Sequence, residues 1–226
     1  MKLKYILPLL MILILGCSNP KNSSEFIEKA SGRYLFNANE TMEIYFKEQI
    51  LFVKWRGNEN LEPLKVNDST FYLKELNEKL VFVSNPSTHI KLAPKREHKE
   101  VVYKFRKLTD GEKTPKEHLI DKNFDLALES YLNIQKKDSL NKSIQWNTIN
   151  NLAHRYFKTE NKETALSLFE INIKLYPKKP AVYRNYGYAL MEIKDTINAI
   201  KNYKKALSIY PDDQRAIKFL NKHKTK

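Results

Sequence analysis

Cys17 is the only cysteine among 226 residues, so no disulfide can form within one copy of the chain. A structural zinc site would want several thiolates, and His89, His98, His118, His154 and His223 are scattered without ligand spacing. Each histidine therefore reads as a surface or packing residue. Five glycines occur in all, none arranged to cradle a phosphate, and no Gly-x-Ser-x-Gly turn presents a nucleophile. These residues imply no metal and no cofactor. The lone thiol, the charge and the spacing of small and large residues are left to carry function.

The thiol has a distinctive setting. Lys2 and Lys4 form a positive start, Ile6 to Leu15 an apolar run too short to span a bilayer, and Ile14-Leu15-Gly16-Cys17 ends it on a small residue before cysteine. This resembles the lipobox of bacterial lipoproteins. The resemblance implies that residues 1–16 are an export signal, that Cys17 is lipidated, and that residues 17–25 form a polar tether. Ser18 after the cysteine, in place of aspartate, implies sorting to the outer membrane.

The formal charge is +14, and 14 less the two leader lysines leaves +12 on the mature part. So basic a chain favours anionic partners. An exported protein does not meet chromosomal DNA, so nucleic acid is not expected. The charge then faces a membrane surface, an acidic polymer or simply solvent.

Which elements carry these charges can be read from periodicity. From about Phe26 to Leu108 the period is two, as half-buried strands require. Met42, Ile44 and Phe46 alternate with Glu43, Tyr45 and Lys47, and Leu51, Val53 and Trp55 with Phe52 and Lys54. Further strands are expected at Arg33–Phe36, Phe71–Leu73, Leu80–Val83, Ile90–Leu92 and Val101–Phe105. Turn-forming clusters at 56–60, Asn67-Asp68 and 85–87 punctuate them. Short strands at this spacing predict an antiparallel meander curled into a small barrel or half-barrel over 26–110. Its aromatic residues, Tyr34, Phe36, Tyr45, Phe46, Phe52, Trp55, Phe71, Tyr72 and Phe82, either fill the core or line a ligand cavity.

Past Gly111 the pattern turns helical, and Thr114-Pro115-Lys116-Glu117 has the residues of a capped helix start. Ala165 and Ala199, Phe169 and Tyr203, and Pro177 and Pro211 are each 34 residues apart. That period, with small residues where paired helices approach and large ones filling between pairs, resembles the tetratricopeptide repeat. Frames at 146–179 and 180–213 carry the markers. Asn172 stands where a small apolar residue is expected, which predicts looser packing there. A degenerate repeat precedes, separated by an insertion of about four residues between Ala127 and Ala165, and a capping helix comes last. The fold class expected is thus α+β and multidomain, a small antiparallel β module followed by an all-helical solenoid over 112–226.

Repeats of this type bind along the face lined by the first helix of each pair. In these frames its outward positions include Asn147, Asn150, Asn151 and His154, then Arg184, Asn185 and Tyr188, with Arg215 and Lys218 beyond. The family's best-known groove holds a peptide carboxylate with lysine, arginine and asparagine; Asn185 and Arg215 match two such positions, whereas Asn150 and His154 depart from them. The resemblance therefore implies a protein or peptide partner, with acidic character favoured by the basic side chains.

The stretch Gly32 to Lys222 also resembles the C-terminal part of bacterial serine hydrolases of the beta-lactamase and penicillin-binding type. Gly32-Arg33-Tyr34, Tyr103-Lys104-Phe105-Arg106-Lys107-Leu108 and the run from Asn198 to Leu207 carry the likeness. That resemblance would place a catalytic domain before Phe26, where this sequence has leader and tether. It also draws attention to Ser-x-x-Lys, in which lysine activates serine. Ser18-Asn19-Pro20-Lys21 sits beside the anchor, Ser139-Leu140-Asn141-Lys142 in a loop, and Tyr183-Arg184-Asn185 on a repeat marker position. The expectation is a non-enzymatic, lipid-anchored interaction protein. The alternatives are an accessory or remnant of such a hydrolase and a ligand-binding β barrel.

Overall fold

The computed structural model describes residues 20–95 and 103–223. Cys17 with its lipobox, Ser18 and the expected strand start at Val101 lie outside them. The described chain divides into two units, Glu40–Asp110 with the residues up to Phe36, and Gly111 onward with Asn37–Asn39.

The first unit opens on a helix that the two-residue period hides. Helix α1 spans Ser24–Ala30, capped by the Ser23 hydroxyl accepting from the Phe26 amide. The fold begins earlier still, because the backbone and side-chain amides of Asn22 both donate to the Gln49 carbonyl, at 3.0 and 2.9 Å. The carbonyls at the helix end, which lack helical donors, take Lys107 Nζ at Lys29 and the Tyr34 hydroxyl at Ala30. Burial lowers the Lys107 ammonium below its usual pKa. The end of the expected tether is therefore part of the folded unit.

Among the described residues nine strands come next: β1 Gly32–Asn37, β2 Glu40–Lys47, β3 Ile50–Trp55, β4 Asn58–Leu61, β5 Leu64–Asn67, β6 Thr70–Leu73, β7 Glu78–Val83, β8 His89–Leu92 and β9 Lys104–Lys107. They form one sheet in the order β4-β3-β2-β1-β9-β8-β7-β6-β5. The turns that join them are tight: Glu48 and Gln49, and again Arg56 and Gly57, both take positive φ, as two-residue type I′ hairpins demand. The segment 56–60, expected as one turn, thus turns only at Arg56-Gly57, and its remainder is β4.

The sheet must curl. Laid flat, eight strand-to-strand steps would separate β4 from β5 by roughly 38 Å. Yet Leu61 and Leu64 are three residues apart, a reach of at most about 11 Å. Alternating directions make both edge strands run the same way, so β4 and β5 are two pieces of one chain run broken at Glu62-Pro63. The result is a nine-stranded antiparallel half-barrel. Phe26 of α1 shows the same curvature from inside, with its ring 6.0 Å from Phe46 on β2 and 5.5 Å from Phe71 on β6.

The interior is filled. Tyr34, Phe36, Phe46, Trp55, Phe71 and Phe82 point inward with Leu51, Leu80 and Phe105, and ring meets ring: Phe36 lies 5.4 Å from Trp55 and 5.2 Å from Phe105. Tyr45 and Phe52 instead stack on the outer face, 5.6 Å apart, and Tyr72 shares that outer surface. The aromatic positions that could have lined a cavity are divided between a packed core and the outside.

The second unit is a stack of helical hairpins. Its helices are α2 Pro115–Ile120, α3 Phe124–Lys137, α4 Trp146–Lys158, α5 Lys162–Leu175, α6 Pro180–Glu192, α7 Thr196–Ile209 and α8 Gln214–Lys222. The capping box at Thr114 forms, with Glu117 accepting from the Thr114 amide and Thr114 from the Glu117 amide. Helices α4, α6 and α8 begin at 34-residue intervals, as do α5 and α7.

The hairpin corners repeat as well. Lys122, Glu160 and Lys194 each take positive φ, and the next amide donates back to the carbonyl five residues earlier: Asn123 to His118, Asn161 to Tyr156 and Asp195 to Leu190. The extra residues before the first full pair fall between α3 and α4, where Lys142–Ile144 makes a 3-10 turn. The result is a stack of helical hairpins with a 34-residue period, similar to the tetratricopeptide repeat, with a first helix shortened to six residues.

Asn172 is not loosely packed. It is buried on α5 and its amide donates 2.8 Å to the Trp146 carbonyl, tying the second helix of the pair to the start of the first.

Candidate interaction face

Because α4, α6 and α8 are related by 34 residues, their side chains fall into columns across the inner face of the stack. Asn150 aligns with Arg184 and Lys218, Asn151 with Asn185 and Phe219, and His154 with Tyr188 and Lys222. Arg215 continues the column that starts at Asn147. The composition changes along the face: α4 contributes Asn147, Asn150, Asn151 and His154, α6 Arg184, Asn185 and Tyr188, and α8 Arg215, Lys218 and Lys222 beside Phe219.

The expected groove residues do not all behave as free surface. Arg184 is largely buried and forms an ion pair with Asp213, which itself caps α8 by accepting from the Ala216 amide. It is a joint between repeats, not an open cation. Asn150 is half-buried with its side-chain oxygen shielded and unpartnered. His154 stands edge-on to Phe169 at 5.2 Å and 6.4 Å from Tyr188; burial first, and the Lys158 charge second, hold its imidazolium pKa below the usual value.

Asn185 is half-buried, and Tyr188, Arg215 and Lys218 are exposed. None of Arg215, Lys218 and Lys222 forms an ion pair among the described residues. Spaced at i, i+3 and i+7, they share one side of α8. Sequence reasoning missed Lys222, although the 34-residue shift from Tyr188 points to it. It also missed the stack that seats this helix, Tyr203 on Phe219 at 3.7 Å and Phe219 on His223 at 4.3 Å.

The hydrolase-like elements are dispersed. Ser139 lies exposed just beyond α3, and Lys142 opens the 3-10 turn. Tyr183 is buried, its hydroxyl spent on the Pro177 carbonyl at 3.0 Å. Among the described residues no group of three His, Cys, Asp or Glu could hold a metal, and no helix is long and apolar enough to cross a membrane.

No family model matches this chain, and no curated protein matches it. Among solved structures it is similar to the first TPR of Spaghetti (RPAP3) bound to the HSP90 peptide SRMEEVD. There the identity is 21% over 48% of this chain and 82% of that one, with a TM-score of 0.32. It is also similar to MamA, at 18% identity over 46% of this chain and 79% of that one, with a TM-score of 0.25.

Proposed function

We propose that this chain is a lipid-anchored, non-catalytic interaction protein of the bacterial envelope, and that its helical repeats hold an extended, acidic segment of a partner protein. The observation that carries the reading is the face shared by α4, α6 and α8: three helices in one register, rich in amides at one end and, at the other, bearing Arg215, Lys218 and Lys222, which form no ion pair among the described residues. Such a face offers hydrogen bonds along a backbone and charge complementarity at one end, and opposite charges mainly set on-rate and orientation. The anchor is supported by the apolar run and the Leu15-Gly16-Cys17 ending.

The test is affinity capture from detergent-solubilised envelope with the full chain, compared with Arg215→Glu/Lys218→Glu. Arg184 is left intact because its loss would disturb the fold. A partner that disappears with the reversal, while circular dichroism is unchanged, supports the inner face as the site. Partners retained undiminished would overturn it.

A further inference from the structure

The outer surface of the half-barrel carries a second patch. On β5, Leu64 and Val66 stand 53% and 54% exposed. Side chains directly paired across a sheet share a face. The register Leu64–Tyr72–Lys79 and the register Thr70–Val81–Lys91–Lys104 therefore lie together on the outside. The intervening row, Phe71–Leu80–Leu92, faces the core. No acid stands in the two outer rows, and Lys79, Lys91 and Lys104 form no ion pair among the described residues. Aliphatic and aromatic side chains beside unpaired ammonium groups are the makeup of a surface that rests in a headgroup layer.

The N-terminal chain reaches the same strand. Lys65 of β5 pairs with Phe71 and so projects from the core-facing side of the strand, where its ammonium donates to the Lys21 carbonyl at 3.3 Å; Lys21 therefore lies beside β5, on the side away from Leu64 and Tyr72. Lys21 is four steps along the chain from Cys17, a span of at most about 14 Å. Acyl chains on Cys17 would keep β5 close to the bilayer that holds them. At the high effective concentration of a short tether, weak charge attraction suffices for docking.

We propose that the outer face of β5 to β9, centred on Leu64, Val66, Tyr72, Lys79, Lys91 and Lys104, docks onto an anionic phospholipid surface. It thereby fixes the orientation of the half-barrel on its membrane. This rests on the lipid-anchor reading.

The test uses the full, acylated protein with Val66→Cys, carrying an environment-sensitive fluorophore; Cys17 is acylated and takes no label. It is reconstituted in phosphatidylcholine vesicles with or without phosphatidylglycerol. The expected result is blue-shifted emission with the anionic lipid only, reversed by high salt. Lys79→Glu/Lys91→Glu/Lys104→Glu should lower the docked-to-undocked ratio by about 100-fold, roughly fivefold per lysine. The salt response of the unreversed protein decides the matter should that variant fold poorly. Protein that floats with the vesicles but keeps water-like emission overturns docking alone. Protein that fails to float overturns the anchor and the docking with it. A shift that is equal in phosphatidylcholine and grows with protein density marks a second copy on the patch, and overturns the lipid assignment.

Discussion

The hairpins α4/α5 and α6/α7 are the same object built twice, and they differ where side chains do something other than pack. Ala165 and Ala199 are both buried, and Phe169 and Tyr203 both fill the gap beside them. But Ala153 becomes Gly187, Asn172 becomes Ala206, Asn150 becomes Arg184 and His154 becomes Tyr188. The first hairpin closes on itself through Asn172 and the Trp146 carbonyl. The second closes on the next helix, α8, through Arg184 and Asp213. A repeat thus fixes the helix crossing, while the remaining positions decide whether a hairpin is tied inward or to its neighbour.

Loss of the tie to α8 should have the largest effect. With Arg184→Ala, Asp213 keeps its capping bond but its carboxylate stays buried without a countercharge. Breaking a buried pair from one side costs about 3 kcal/mol. Asn150→Ala, at the equivalent place in the first hairpin, removes no ion pair and should cost under about 1 kcal/mol. Urea unfolding of the two variants measures the difference. Equal small losses would mean that the ion pair does not hold α8 to the stack.

The spacing of small and large residues made the hairpins legible in the sequence because it is a steric requirement, one that shows at every turn of each pair. The ion pair was not legible, since Arg184 and Asp213 are 29 residues apart and Arg184 alone looks like one more inner-face cation. The half-barrel divides in the same way. Leu51, Val53 and Trp55 announce β3 by alternation, whereas Asn58-Glu59-Asn60 on β4 are all exposed and carry no such pattern. Helix α1 buries little but Phe26 and Ala30, four residues apart, too brief a signal to stand out from a polar lead-in. The site was legible as a face and not as a set of free groups: its positions come from the 34-residue shift, but which charges are already spent depends on contacts between repeats.

A smaller effect should result from exchanging the small residues at the helix crossing. A Cβ on Gly187 would lie 2.8 Å from Tyr203 Cδ2 and 3.2 Å from the Ala199 carbonyl oxygen. The Tyr203 ring has little freedom to give way, with Phe219 stacked on its face. Overpacking of this kind costs about 1–3 kcal/mol, against roughly 1 kcal/mol gained from alanine in a helix. Gly187→Ala should therefore destabilise by about 1 kcal/mol, and Ala153→Gly, which opens space and loosens the helix, by a similar amount. Thermal melting of both variants checks whether each hairpin is fitted to its own small residue. Stabilisation by Gly187→Ala would show that α6 and α7 can part without penalty.

The smallest effect is conditional on pH and belongs to the first hairpin alone. His154 sits where Tyr188 sits in the second, and its folded pKa lies below the ordinary value of 6.5 because burial and Lys158 disfavour the cation. The unfolded chain therefore takes up the proton first, and stability falls as the pH drops through and below about 6.5. Above that range the ring is neutral in both states and contributes no slope. His154→Tyr makes the first hairpin like the second at this position and should flatten the decline of the melting temperature between about pH 7.5 and about pH 5. Superimposable pH profiles for the two proteins would show that His154 titrates as freely in the fold as in the unfolded chain. The aromatic contacts with Phe169 and Tyr188 would then not withdraw it from water.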